Sequence, residues 1–199
     1  MTRALVVSLE LHDPRYHGQP EWPPAPARLF QALVAGSGAG GFTADARAAL
    51  EWLERLDPPT IVAPVALTGQ GFTSWVPNND LDATDRDPER TSEIRTGKWI
   101  RPRLLETPPR FVYVWHFDST EQSERHGGIV CGLAAKLYQF GRGVDMAWAT
   151  GELLDASAAQ SASYSGTRSN LHTDTGWQRQ RIGKSDSRFA EESRRALSG

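Results

Sequence analysis

Ala4 to Leu11 (ALVVSLEL) is apolar and β-branched and ends at His12-Asp13-Pro14, which predicts a first strand with a turn after it. Pro23 and Pro24 keep the following stretch out of helix, whereas Pro26 can sit in the first turn of one. Leu29, Phe30, Leu33 and Val34 then share a helix face, and the glycine-rich run Gly36 to Gly41 stops it. A second helix is predicted from about Thr43 to Leu56, with Ala46, Ala49, Leu50, Leu53 and Leu56 inward, ended by Asp57-Pro58-Pro59. Ile61 to Leu67 reads as a second strand in which Pro64 requires an edge position or a bulge. Phe111 to Phe117 (FVYVWHF) is the most β-prone stretch and the third strand. Asp118 with Glu121 three residues on predicts a capping-box start for a helix faced by Ile129, Val130, Leu133, Ala134, Leu137 and Tyr138. Phe140-Gly141-Arg142-Gly143-Val144 closes that helix as a turn, and Met146 to Leu154 makes a fourth strand.

Strand, helices, strand, strand, helix, strand is the order of an α+β, ferredoxin-like (RRM-like) βαββαβ fold. Its helices are expected on one face of an antiparallel sheet, leaving the other face for a ligand. Gly69 to Pro109 is a charged insertion between the second and third strands, read as a loop or a hairpin thumb. Residues 1–155 are expected to form this domain. Residues 156–199, rich in serine and with Arg179, Arg181, Lys184, Arg188, Arg194 and Arg195, read as a flexible tail or linker.

At 199 residues the chain suits one domain with an appendage. Its net charge of −2 rules out a broad polycation, so a nucleic-acid surface has to come from local clustering. A single cysteine, Cys131, gives no disulfide frame and no cysteine-based metal site, and a reducing cytoplasm is the simplest reading. No stretch reaches the roughly 20 apolar residues of a membrane helix, and the start lacks a signal-peptide core. The histidines show no HxxxH or HxH spacing, and the aspartates from Asp80 to Asp87 lack the glycine and glutamate of a calcium loop, so no metal or other cofactor is expected.

Three constellations carry possible chemistry. In Gly141-Arg142-Gly143 the glycines let backbone amides approach a ligand, and the arginine can grip a phosphate; a plain structural turn is the alternative. In Arg95, Lys98, Trp99, Arg101 and Arg103, cations interleave with an aromatic, as suits a phosphate backbone with a stacked base; pairing with the acid-rich stretch Asp80 to Glu93 is the alternative. In Arg15-Tyr16-His17 with Trp22, His17 and Tyr16 could support metal-free RNA cleavage; contact without catalysis and ordinary turn residues are the other readings. His116 reads as a packed or sheet-surface histidine.

The block from Glu21-Trp22-Pro23-Pro24 through Arg28-Leu29-Phe30-Gln31-Ala32-Leu33-Val34-Ala35, then Ala49-Leu50-Glu51-Trp52-Leu53-Glu54 with Pro58-Pro59, resembles the opening of the type I-G (formerly I-U) CRISPR-associated Csb-two family. Arg101-Pro102-Arg103-Leu104-Leu105 and Phe140-Gly141-Arg142-Gly143 also look like that family. The resemblance implies a RAMP-superfamily protein, a fusion of a Cas-five-type part with a Cas-six-type part, within the Cascade surveillance complex. The Cas-five-type part holds the 5′ handle of the crRNA and caps the backbone filament; the Cas-six-type part cuts repeat RNA without metal. Residues 4 to 155 carry the resemblance, and no second βαββαβ set follows, so the Cas-six-type half is expected to be absent from this chain. The implied partners are crRNA, the backbone and large subunits, a Cas-six-type nuclease part and, indirectly, target DNA. The expected RNA contacts are Arg15, Tyr16, His17, Trp22, Arg28, Arg95, Lys98, Trp99, Arg101, Arg103, Gly141, Arg142 and Gly143. Handle binding is the expected activity, and an endoribonuclease centred on His17 is the alternative.

Overall fold

The computed structural model describes residues 1–18, 22–38, 41–77, 95–159 and 177–181, the last as backbone. The elements in chain order are β1 (Thr2–Leu11), β2 (Arg15–Tyr16), α1 (Pro26–Gly38), α2 (Ala44–Arg55), β3 (Thr60–Pro64), β4 (Ala66–Thr68), β5 (Phe72–Pro77), β6 (Arg95–Ile100), β7 (Arg103–Leu105), β8 (Arg110–Asp118), α3 (Glu121–Ala134), β9 (Ala147–Asp155) and β10 (Trp177–Arg181). The chain is α+β. Its main sheet runs β10-β3-β8-β1-β9, antiparallel at every pairing. With β10 set aside, the order is second, third, first, fourth strand, which agrees with the ferredoxin-like plan.

The alternation of side chains along each strand explains which face the helices cover. Leu5, Val7, Leu9 and Leu11 of β1 and Phe111, Tyr113, Trp115 and Phe117 of β8 point to one side. There they pack with Leu29, Phe30 and Leu33 of α1, Leu50 and Leu53 of α2, and Val130 and Leu133 of α3. Helix α3 sits close on β9: a Cβ added to Gly151 would lie 2.5 Å from the Cα of Cys131. Burial in this contact pushes the Cys131 thiol up to about 11, so it stays protonated at neutral pH.

The other face is not the open platform expected for a ligand. Ala4, Val6, Val62, Val112 and Val114 are buried there with Ala159, which follows β9 in a helical turn at 156–159. Small aliphatic side chains gain by being covered, and they offer nothing on which a base could stack. The end nearer β2 carries the Glu10–Arg110 ion pair (2.9 Å) and the exposed Trp148, and the opposite end carries the exposed His116 and Asp118. From the serine-rich region, β10 joins the sheet beside β3, a strand that composition did not predict.

Three boundaries differ from expectation for identifiable reasons. Asp118 stays paired with Thr2 at the end of β8, so the N-cap of α3 moves on to Thr120 and the helix begins at Glu121. Thr120 and Ser123 make the capping box there in place of Asp118 and Glu121. The predicted second strand breaks after Pro64, which cannot donate to a ladder, and β4 turns away into a small sheet ordered β2-β7-β4. Helix α1 runs through Gly36, whose missing side chain lets it abut the backbone carbonyl of Lys136. In the insertion, β5 and β6 pair as an antiparallel hairpin; the acid-rich stretch from Asp80 to Glu93 lies outside the described residues.

Candidate nucleic-acid interface

Two loops meet at the end of the main sheet. One follows β2 and carries His17; the other joins α3 to β9 and carries Gly141-Arg142-Gly143. The group that joins them is Asp145, fully buried and absent from the sequence-based reading. Its carboxylate accepts from the backbone N–H of His17 (3.1 and 3.2 Å), from His17 Nδ1 (2.7 Å) and from the backbone N–H of Arg142 (2.9 Å). Arg142 Nε donates in turn to the carbonyl of His17 (3.0 Å). Within the second loop, Phe140 N–H donates to the Asp145 carbonyl and Asp145 N–H to the Arg142 carbonyl, 2.8 Å each.

Of the two glycines only Gly141 has a conformation that demands one. Its φ is 110°, and an added Cβ would lie 2.8 Å from both Asp145 Oδ2 and the Tyr16 ring. At Gly143 an added Cβ would meet nothing nearer than the Gln139 side chain at 4.0 Å. The arginine between them is half-buried. Apart from the bond to His17, its guanidinium makes no hydrogen bond among the described residues.

The other residues singled out by sequence divide by place. Tyr16 is fully buried, its ring within about 6 Å of those of Trp22, Phe111 and Phe140; it is a wall of the core beneath both loops. Trp22 is half-buried and carries the Arg103 guanidinium over its ring at 5.9 Å. Tyr16 also pairs in register with Arg103, so β7 delivers the Arg101–Arg103 segment to the same region. Arg15 is exposed and held by Asp13 at 2.7 Å, a bond that keeps the Asp13 carboxyl below the usual carboxylate range. Arg28 lies in the first turn of α1, half-buried.

Arg95, Lys98 and Trp99 all lie on β6, yet on two faces of the hairpin. Arg95, Gly97 and Trp99 share a face with Thr73 and Trp75 of β5, and both tryptophans are exposed. Lys98 is on the other face with Phe72, Ser74 and Ile100. That second face looks across a cleft of about 410 Å³ at His12, His17, Val144 and Met146. Sequence reasoning missed Asp145, Trp75 and the cleft residues Phe72, Ser74, Ile100 and Met146, but not Arg15 and His17, which line the same cleft. For Asp145 a signal existed: a lone acid right after a glycine-arginine-glycine turn and before an apolar strand invites a capping role.

A family model described as CRISPR-associated protein, GSU0054 family, matches residues 2–191. Among solved structures the chain is similar to a CRISPR protein from Archaeoglobus fulgidus, at 13% identity and a TM-score of 0.34, covering 76% of this chain. The match spans 61% of the length of that protein. No curated protein matches.

Proposed function

Because the chain belongs to the GSU0054 family of CRISPR-associated proteins, we propose that within its CRISPR system it is the crRNA-binding subunit of a type I Cascade complex. In this reading it is a type I-G Csb-two protein of the Cas-five type. It holds the 5′ handle of the crRNA, caps the backbone filament, and reaches a neighbouring backbone subunit with the β5–β6 hairpin. One observation supports the RNA-binding part most. Asp145 and His17 fix Arg142 by backbone and by Nε, leaving the rest of its guanidinium available to a phosphate without further ordering. A pre-positioned arginine loses little side-chain entropy on binding, which favours a charge-assisted grip on an anion.

Arg142→Ala is therefore expected to weaken binding of repeat RNA by about 10- to 100-fold, the worth of one charge-assisted hydrogen-bonding side chain. The slope of log affinity against log salt should fall by about 0.7, as for one lost phosphate contact on a single strand. Fluorescence anisotropy at several salt concentrations measures both. Unchanged affinity and unchanged assembly with the backbone subunits would remove this role from Arg142.

A second reading, metal-independent cleavage of precursor crRNA at the repeat, is favoured by the His17–Asp145 pair. A buried carboxylate on Nδ1 orients the ring and leaves Nε2 for proton transfer. It predicts cleavage of repeat RNA in EDTA, lost in His17→Ala. Repeat RNA left intact after long incubation with the chain excludes it.

A further inference from the structure

The cleft between the hairpin and the two loops has a composition that selects its occupant. Its apolar walls come from Phe72 and Ile100 on one side and from Val144 and Met146 on the other. Three of these are well exposed for apolar side chains: Phe72 at 46%, Met146 at 42% and Val144 at 66%. Exposed apolar groups that face one another across a gap indicate a surface completed by a ligand.

Charge narrows the ligand. Asp13 and Asp145 line the cleft against the single cation Arg15, which is already paired to Asp13. Lys98 lies on the same hairpin face beside Ser74 but does not line the cleft, so a phosphate inside would meet no unpaired arginine or lysine among the lining residues, whereas a neutral planar group would bury apolar area at no ionic cost. Polar edges remain for such a group: the Ser74 hydroxyl, the His12 ring and His17 Nε2. With Nδ1 bonded to Asp145, Nε2 is the ring nitrogen left for the polar edge of a base. A volume of about 410 Å³ is near the lower end of ligand pockets and suits one base with its sugar. The cation belonging to this site lies just outside, where Arg142 is bonded to the carbonyl of His17.

We infer that this cleft takes one unstacked nucleobase of a single-stranded RNA whose backbone phosphate is gripped by Arg142 beside it. The inference rests on the RNA-binding reading above and adds to it a site at which a base is inspected. Phe72 and Met146 contact the faces of the base; Ser74, His12 and His17 contact its edge. Readout of a base held out of the stack by aromatic and apolar walls is a general route to sequence preference in single strands.

The test uses the full 199-residue chain, octamers of each of the four RNA bases, an octamer of ribose-phosphate without bases, and the four nucleoside monophosphates. Amide spectra are recorded during each titration, with affinities from anisotropy. The expected result has three parts. At least one base-bearing octamer shifts the amides of Phe72, Ser74, Ile100 and Met146. Ser74→Trp, which fills the cleft, and Phe72→Ala, which removes a wall, each cost that octamer at least about tenfold in affinity. Both variants bind the abasic octamer as the wild type does. Octamer binding that leaves those amides unmoved, or that both variants retain in full, overturns the base site while sparing the RNA-binding reading. Tighter binding of a free monophosphate than of any octamer makes the cleft a small-molecule site and also overturns it. Failure of the wild type to bind any RNA overturns the reading on which it rests.

Discussion

Asp145→Ala should destabilise the protein by about 3–5 kcal/mol, the range for breaking a buried, hydrogen-bonded ionic group. The carboxylate is fully buried and accepts from two backbone amides and an imidazole. Removing it leaves those donors in a low-dielectric pocket without an acceptor, and each unsatisfied group costs on the order of 1–3 kcal/mol. At this chain length each kcal/mol is worth roughly 2–4 °C, so thermal unfolding should show a fall of about 10 °C. The loss extends to binding, because Asp145 holds the backbone of Arg142 in place. In the Asp145→Ala background, adding Arg142→Ala should therefore weaken RNA binding far less than it does in the wild type. Asp145→Asn should fall between, since its amide keeps one acceptor but turns a donor toward an N–H. Wild-type melting and wild-type affinity in Asp145→Ala would refute the role given to this residue.

Tyr16→Ala comes next, with an expected cost of about 3–5 kcal/mol, as for other aromatic-to-alanine changes in a core. Tyr16 lies under both loops, against Trp22, Phe111 and Phe140, and beside Gly141. Its deletion opens a cavity beneath the site, and the loops above lose the wall that shapes them. The neighbouring change Arg15→Ala serves as a control. Arg15 is exposed and bonded to Asp13 alone, so its removal should change stability by less than about 1 kcal/mol. Chemical denaturation of the two variants side by side measures this contrast, and equal midpoints would contradict it.

These two positions also show how far the sequence could be read. The strands and helices were legible because their signals are local: alternation in Phe111 to Phe117, a shared face in Leu29, Phe30 and Leu33, and proline and glycine at their ends. The small errors came from competition between local signals and tertiary pairing. Asp118 has the chemistry of a cap, yet its ladder partner Thr2 holds it in β8. Val65 looks like strand, yet the chain there leaves one sheet for another. The site was half legible. Arg142 and His17 stood out as types, one by charge between glycines and the other as a histidine in a loop. What joins them, Asp145, is separated from His17 by 128 positions, and no spacing rule spans such a distance. Tyr16 looked like a contact group because it sits between an arginine and a histidine; the aromatic cluster that buries it is assembled from β8 and the residues before β9. The partition of Lys98 from Trp99 was available in principle, since neighbours on a strand face opposite ways, once β6 was known to be a strand.

The strand order sets when the protein can begin to fold as it is synthesised. Strand β1 is the first to leave the ribosome, yet both its neighbours, β8 and β9, begin at Arg110 and Ala147. Strand β3 also waits for β8. Until Arg110 to Asp118 has emerged, more than half of the chain has helices but no sheet on which to bury them. Its apolar faces stay exposed through that interval, and pairing β1 with its partners closes loops of about a hundred residues or more, a slow step in any sheet of non-local contacts.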